Sequence, residues 1–340
     1  MRRWIKRLAL GLVALLVIGL LSTSVYHLVV SQIDRGRFPP PGQLVDVGGY
    51  KLHILCQGEG SPTVVLDAGL GGWSTDWGKV LPDASKITRV CAYDRAGMGW
   101  SEDGPLPRTS AEVVSELHRL LVNTGIEAPV VLVGHSFGGY NVRLYAATYP
   151  AEMAGMVLVD ASHEEQEARL PAELTRMSAG ARLGYQAAPW LARFGVLRVM
   201  KIGMGPEPKD LAPSAQAEAQ GARFWNGGYR AAMSELFEFP ASAAQLRSAD
   251  RKLTVPLVVL SAGKQEAAPG MSPEVLAHFR AVWDTLQHEE AAWSPRGVRV
   301  IATKSSHYIA LIEPELIVDA IRTVVEVSRA ARDSSSAETH

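Results

Sequence analysis

The run Gly134-His135-Ser136-Phe137-Gly138-Gly139 has the spacing G-x-S-x-G. An apolar stretch, 129–133, leads into it, and a stretch with helical character, 138–148, leads out. A chain that turns this sharply from strand to helix strains the serine backbone. Small residues two before and two after Ser136 let neighbouring backbone approach. The hydroxyl then stands clear beside a helix amino end, where the dipole and free N–H groups favour an anion. This is the chemistry of a nucleophile, but serine is a poor one at neutral pH and needs a base within hydrogen-bond reach. Nine histidines are available. Other chemistries lack their signatures. There is no G-x-x-x-x-G-K-[ST] run, and Gly69-Leu70-Gly71-Gly72 is not G-x-G-x-x-G. No His, Asp and Glu set has metal-ligand spacing, so neither cofactor nor metal is expected.

The elements around this turn alternate. Residues 44–47 and 51–56 read as two short strands joined by a turn at Gly48-Gly49. Residues 63–67, 88–93, 129–133, 156–160, 257–261 and 298–302 read as further strands. The spacing of Val113, Leu117, Leu120 and Leu121 predicts a helix over 109–123, opened by the capping pair Thr109 and Glu112. A closing helix is expected over 314–330. Strands that are apolar throughout, alternating with helices, imply a mostly parallel sheet covered on both faces, with an antiparallel edge. The stretch 162–251 breaks the alternation. It is rich in Ala, Met and aromatics, among them Tyr185, Trp190, Phe194, Phe224, Trp225, Tyr229 and Phe239. It predicts a helical cap that roofs an apolar pocket.

Together these segments resemble the α/β-hydrolase fold superfamily, over about residues 44–330. The serine turn matches that family's nucleophile elbow. Tyr93-Asp94-Arg95-Ala96-Gly97-Met98-Gly99-Trp100-Ser101 is similar to its D-x-x-G-x-G-x-S turn, a structural signature. Ser306-His307-Tyr308 follows the last strand, and Glu313-Pro314-Glu315 follows it in turn, as in the family. The resemblance implies a hydrolase with a catalytic triad: Ser136 as nucleophile and His307 as base. It leaves two carboxylates for the acid, which holds the imidazole tautomer. Asp160 ends the sixth strand, and Glu266 closes the run Gly263-Lys264-Gln265-Glu266 after the seventh. The oxyanion hole implied by the family uses the backbone N–H groups of Phe137 and Leu70, although Ala68 stands where most relatives carry His. Cys56 and Cys91 would fall on neighbouring strands, either as a disulfide or as two buried thiols. The expected activity is that of a serine esterase acting on a small, apolar, lipid-derived carboxylic ester. The same fold also carries amidases, carbon–carbon hydrolases, cofactor-free peroxidases and silent binding domains.

Composition sets the frame. The chain has 340 residues, 47% apolar and 20% charged, with a net charge of −1. That is a globular balance with no global case for nucleic acid. The charge is uneven, however: residues 1–30 hold Arg2, Arg3, Lys6 and Arg7 and no acid. Residues 8–30 carry no Asp, Glu, Lys or Arg and are long enough to cross a bilayer. Residues 1–30 therefore read as a transmembrane anchor, a single-pass membrane helix with the basic end in the cytoplasm and the catalytic body on the non-cytoplasmic side. If residues 1–24 were instead cleaved as a signal peptide, the body would be secreted or periplasmic. The remaining organisation is a linker at 31–43, a hydrolase core at 44–161 and 252–330, the cap at 162–251 and a disordered polar tail at 331–340.

Overall fold

The computed structural model describes residues 2–249, 253–265 and 271–337. Its strands are β1 (Gln43–Asp46), β2 (Lys51–Gln57), β3 (Val64–Asp67), β4 (Val90–Tyr93), β5 (Val130–His135), β6 (Met153–Val159), β7 (Leu257–Ala262) and β8 (Gly297–Ala302). The helices are α1 (Arg2–Arg37), α2 (Leu81–Ala84), α3 (Ser110–Asn123), α4 (Gly138–Thr148), α5 (Gln166–Arg169), α6 (Ala172–Arg193) and α7 (Val196–Val199). They continue with α8 (Pro213–Ala222), α9 (Asn226–Phe237), α10 (Phe239–Ser248), α11 (Pro273–Ala291), α12 (Ile309–Ile312) and α13 (Pro314–Ala337). One sheet runs β1-β2-β4-β3-β5-β6-β7-β8. The β1/β2 and β2/β4 pairs are antiparallel, and every other pair is parallel.

The period of two along a strand divides its side chains between two cores. Val130 and Leu132 of β5 pack with Leu117, Leu120 and Val142 from α3 and α4. Val131 and Val133 pack on the other face with Ile317, Ile321 and Val324 of α13. Both faces of β5 are therefore buried, which is why it opens as an unbroken apolar run. Thr109 caps α3 by accepting from the Glu112 N–H, as the capping pair predicts. Cys56 and Cys91 face each other across β2 and β4 and form a disulfide.

Three features differ from expectation. The stretch 31–43 is not an extended linker throughout, because α1 continues to Arg37 and docks on the cap. Its Asp34 and Ser31 accept from Arg198, which gives these turns a tertiary reason to stay helical. The tail expected at 331–340 continues α13 as far as Ala337. Arg329 and Arg332 there donate to the carbonyl and hydroxyl of Ser61, holding that end of the helix on the core. Residues 338–340 lie outside the described residues. Finally, α11 was not anticipated, although Ser272 caps it and Pro273 opens it. The stretch between β6 and β7 is helical, α5 to α10, among the described residues.

Candidate active site

Ser136 sits between β5 and α4 with φ of 50°. This left-handed conformation is rare for a side-chain-bearing residue, and it turns the chain from strand to helix in one step. The flanking glycines are required by close approach. A Cβ on Gly134 would lie 2.6 Å from the Gly138 carbonyl oxygen, and one on Gly138 would lie 2.4 Å from that of Asp67.

Asp160 follows β6, also with positive φ, and is buried. Its Oδ2 lies 2.7 Å from His307 Nδ1. Its Oδ1 accepts from the Ala262 N–H at 3.0 Å and from Trp283 Nε1–H at 2.9 Å. Burial alone would raise its pKa. The His307 contact and the two donors outweigh burial and hold the carboxyl below its usual range. Glu266, the other carboxylate singled out in the sequence, lies outside the described residues. His307 is held from a second side as well. Its carbonyl oxygen lies 2.9 Å from His135 Nε2. Burial and then the neighbouring His307 lower the His135 pKa to about 3. The ring is therefore neutral, and since a carbonyl only accepts, Nε2 must carry the proton.

The loop after β3 is set by a buried cation. Arg95 Nη1 donates to the Ala68 carbonyl and Nη2 to the Gly69 carbonyl, both at 2.7 Å. Its charge is balanced by Asp67 at 2.6 Å and Glu235 at 2.7 Å. In a planar trans peptide the next N–H points opposite to the carbonyl. Pinning the Gly69 carbonyl toward Arg95 therefore turns the Leu70 N–H the other way. Among the described residues, neither the Leu70 nor the Phe137 N–H has an acceptor. Two such donors beside one serine can stabilise an oxyanion. Arg95 and Glu235 were not singled out as site residues. The signal was an arginine inside the Asp94–Ser101 turn, but its partner lies 140 residues away on α9.

Ser136, Asp160, His307 and Leu70 line one cavity of about 570 Å³. Leu170, Leu174, Tyr185, Leu236 and Phe239 from the helices between β6 and β7 form much of its wall, with Phe279 and Trp283 of α11. The other aromatics of that stretch do different work. Trp225 packs edge-on to Trp100 of the Asp94–Ser101 turn, and Tyr229 packs with Ala192 and Leu197 inside the helical layer. Trp190 and Phe194 are exposed. Phe279 and Trp283 are aromatic wall residues that the sequence reading missed. The spacing of Val275, Phe279, Trp283 and Leu286 along α11 could have revealed them.

Behind Asp160 lies a second buried cluster. Arg143 lies 3.0 Å from Glu164 and 3.3 Å from Glu290, and also donates to the Ser162 carbonyl. Burial pushes the Glu290 carboxyl up to about 8. It therefore keeps a proton that the unfolded chain loses at about pH 4.3. Between these limits folding takes up a proton, so stability falls as pH rises from about 4 to about 8. Glu290→Gln should flatten that fall. Thermal melts at pH 5 and pH 8 should differ less in the variant than in wild type.

Among the described residues no cluster of His, Cys, Asp or Glu could hold a metal ion. A family profile described as alpha/beta hydrolase fold matches residues 62–250. A protein of Hormonema carpetanum described as a probable transporter is 26% identical over 309 residues, covering 85% of this chain and 43% of that protein. The chain spans about half the length of the curated relatives it first matches. Among solved structures, a thermophilic esterase of Thermogutta terrifontis aligns with a TM-score of 0.56 at 20% identity, over 84% of this chain and 98% of that one. An epoxide hydrolase of Vigna radiata aligns with a TM-score of 0.62 at 17% identity, over 84% and 98%. At these identities the likeness is one of fold.

Proposed function

The chain belongs to the alpha/beta hydrolase fold family, and from that premise we propose that it is a serine hydrolase of carboxylic esters. The observation that carries the reading is the convergence of Ser136, on its left-handed turn, with the Asp160–His307 pair at the wall of one cavity. In this reading His307 takes the Ser136 proton as the hydroxyl attacks the ester carbonyl. Asp160 holds Nδ1–H, so that Nε2 is the free base and the imidazolium formed is stabilised. The Phe137 and Leu70 N–H groups hold the oxyanion. The proton on His307 then passes to the leaving alkoxide, and water, activated by the same base, cleaves the acyl-enzyme. The mostly apolar wall of the cavity favours an apolar acyl or alcohol group. No cofactor enters these steps.

We also read residues 8–30 as a bilayer span, with the four cations before it in the cytoplasm and the catalytic body on the other side. Support comes from α1, the helix among the described residues that is long and apolar enough to cross a membrane. An amphiphilic ester is the substrate this placement favours.

The test is covalent labelling of the detergent-purified full chain with small and large fluorophosphonate probes. Wild type should be labelled and Ser136→Ala should not. A folded wild-type protein that neither probe labels would overturn the reading.

A further inference from the structure

The anchor and the cap touch, and where they touch fixes a depth. Gly195, between α6 and α7, packs so closely on α1 that a Cβ there would lie 2.4 Å from the Thr23 carbonyl oxygen and 2.6 Å from the His27 Cβ. Arg198 of α7 then reaches along the same face of α1, to His27 at 3.3 Å, Ser31 at 3.2 Å and Asp34 at 2.7 Å. Contact therefore begins at Thr23. Counting from Leu8, the first residue after the cations, fifteen residues precede it. At ~1.5 Å per residue they rise roughly 22 Å, less than the ~30 Å thickness of a hydrocarbon layer. With residues 8–30 as the span, the helix meets the cap while it is still inside the apolar layer.

The cap surface beside that contact has the composition such a depth requires. Leu183, Trp190, Phe194, Val199, Met200 and Ile202 are all exposed, Leu183 by 73% and Trp190 by 65%. Isolated exposed apolar residues need no explanation, but a cluster of this kind on consecutive elements marks an interaction surface. Residues 183–206 hold no acidic residue, and besides Arg198, which is spent on α1, they hold the cations Arg193 and Lys201. Cations at the margin of an apolar face can reach up to headgroups while their stems stay in the apolar layer.

We propose that the α6–α7 face of the cap is a second membrane contact, seated in the lipid surface next to the anchor. The proposal rests on the reading of residues 8–30 as a span. The body then lies against the bilayer on its cap and does not hang from a stalk. Helix α6 also carries Tyr185, which is 45% exposed and lines the cavity of Ser136. One helix thus joins the lipid surface to the candidate site, and an amphiphilic ester can pass between them without crossing water.

The test places a single environment-sensitive NBD label on the full chain in bilayers of phosphatidylcholine and phosphatidylglycerol doped with doxyl-labelled lipid. Both native cysteines are paired, so each introduced cysteine takes the only label. Phe194→Cys and Met200→Cys are the probes, and Leu15→Cys reports the anchor. Val122→Cys is the control, because the end of α3 lies at the amino ends of the strands, away from the Ser136 turn. Labels at 194 and 200 should emit at short wavelength and lose signal to doxyl lipid as the label at 15 does, while the label at 122 does neither. Quenching at 15 without quenching at 194 and 200 overturns the cap contact alone. No quenching at 15 overturns the span and the proposal with it. Equal quenching at 122 and 194 also overturns the proposal.

Discussion

Ser136→Ala should lower kcat for ester hydrolysis by about 10⁶-fold, with KM little changed. The change removes one oxygen atom. Alanine pays the same backbone cost at φ of 50° as serine does, so the turn should keep its shape and the variant its melting temperature. What remains is binding plus the two backbone donors, worth roughly 10³–10⁴-fold over water in enzymes of this chemistry. Stopped-flow hydrolysis of a chromogenic ester makes the measurement. A pre-steady-state burst should appear in wild type and vanish in the variant. A loss below tenfold would mean that another group attacks the carbonyl.

Asp160→Asn is the second large effect, about 10⁴-fold in kcat at neutral pH. The geometry makes this substitution discriminating. Asparagine can keep Oδ1 as acceptor for the Ala262 N–H and Trp283 Nε1–H, so the buried bonds that hold the strand end survive. It also tolerates positive φ, which Asp160 requires. What changes is the atom facing His307 Nδ1, from an acceptor at 2.7 Å to a donor. The ring must then present Nδ1 as the acceptor and carry its proton on Nε2, which cannot take one from serine. Thermal stability near wild type together with this loss would identify a positioning and charge-stabilising role. A loss below tenfold would move the acid to another carboxylate, with Glu266 the next to test.

The two expectations differ in how far they could be read from sequence. Everything that makes Ser136 conspicuous lies in the one stretch 129–148: the apolar strand before it, the glycines that permit close approach, and the helix after it. Thr109 and Glu112 are legible for the same reason, since a helix cap is a bond across three positions. Asp160 could be narrowed to one of two candidates, because the end of an apolar strand is a local property. Its pairing with His307 joins positions 147 residues apart, and no pattern along the chain encodes that distance. Arg95 makes the point more sharply. It stood in plain view in a turn, yet its work is to pull the Ala68 and Gly69 carbonyls inward with Glu235 behind it, and those partners meet only after β3, β4 and α9 have packed. The stretch 31–43 reads as a linker because the polarity of Asp34 is visible along the chain and its partner Arg198 is not.

By its sequence alone this protein is determined to be an alternating α/β chain with a strand–serine–helix turn and an apolar, basic-flanked amino end. Period, capping and glycine placement are short-range physics, and they act wherever the chain later goes. The tertiary structure alone decided which carboxylate meets His307, which cation shapes the loop before Leu70, which aromatics line the cavity, and where α1 touches the cap. Each of these is a contact between elements whose separation along the chain carries no energy of its own. The site contacts exist because the sheet order brings β3, β5, β6 and β7 side by side and points their carboxyl ends at one place.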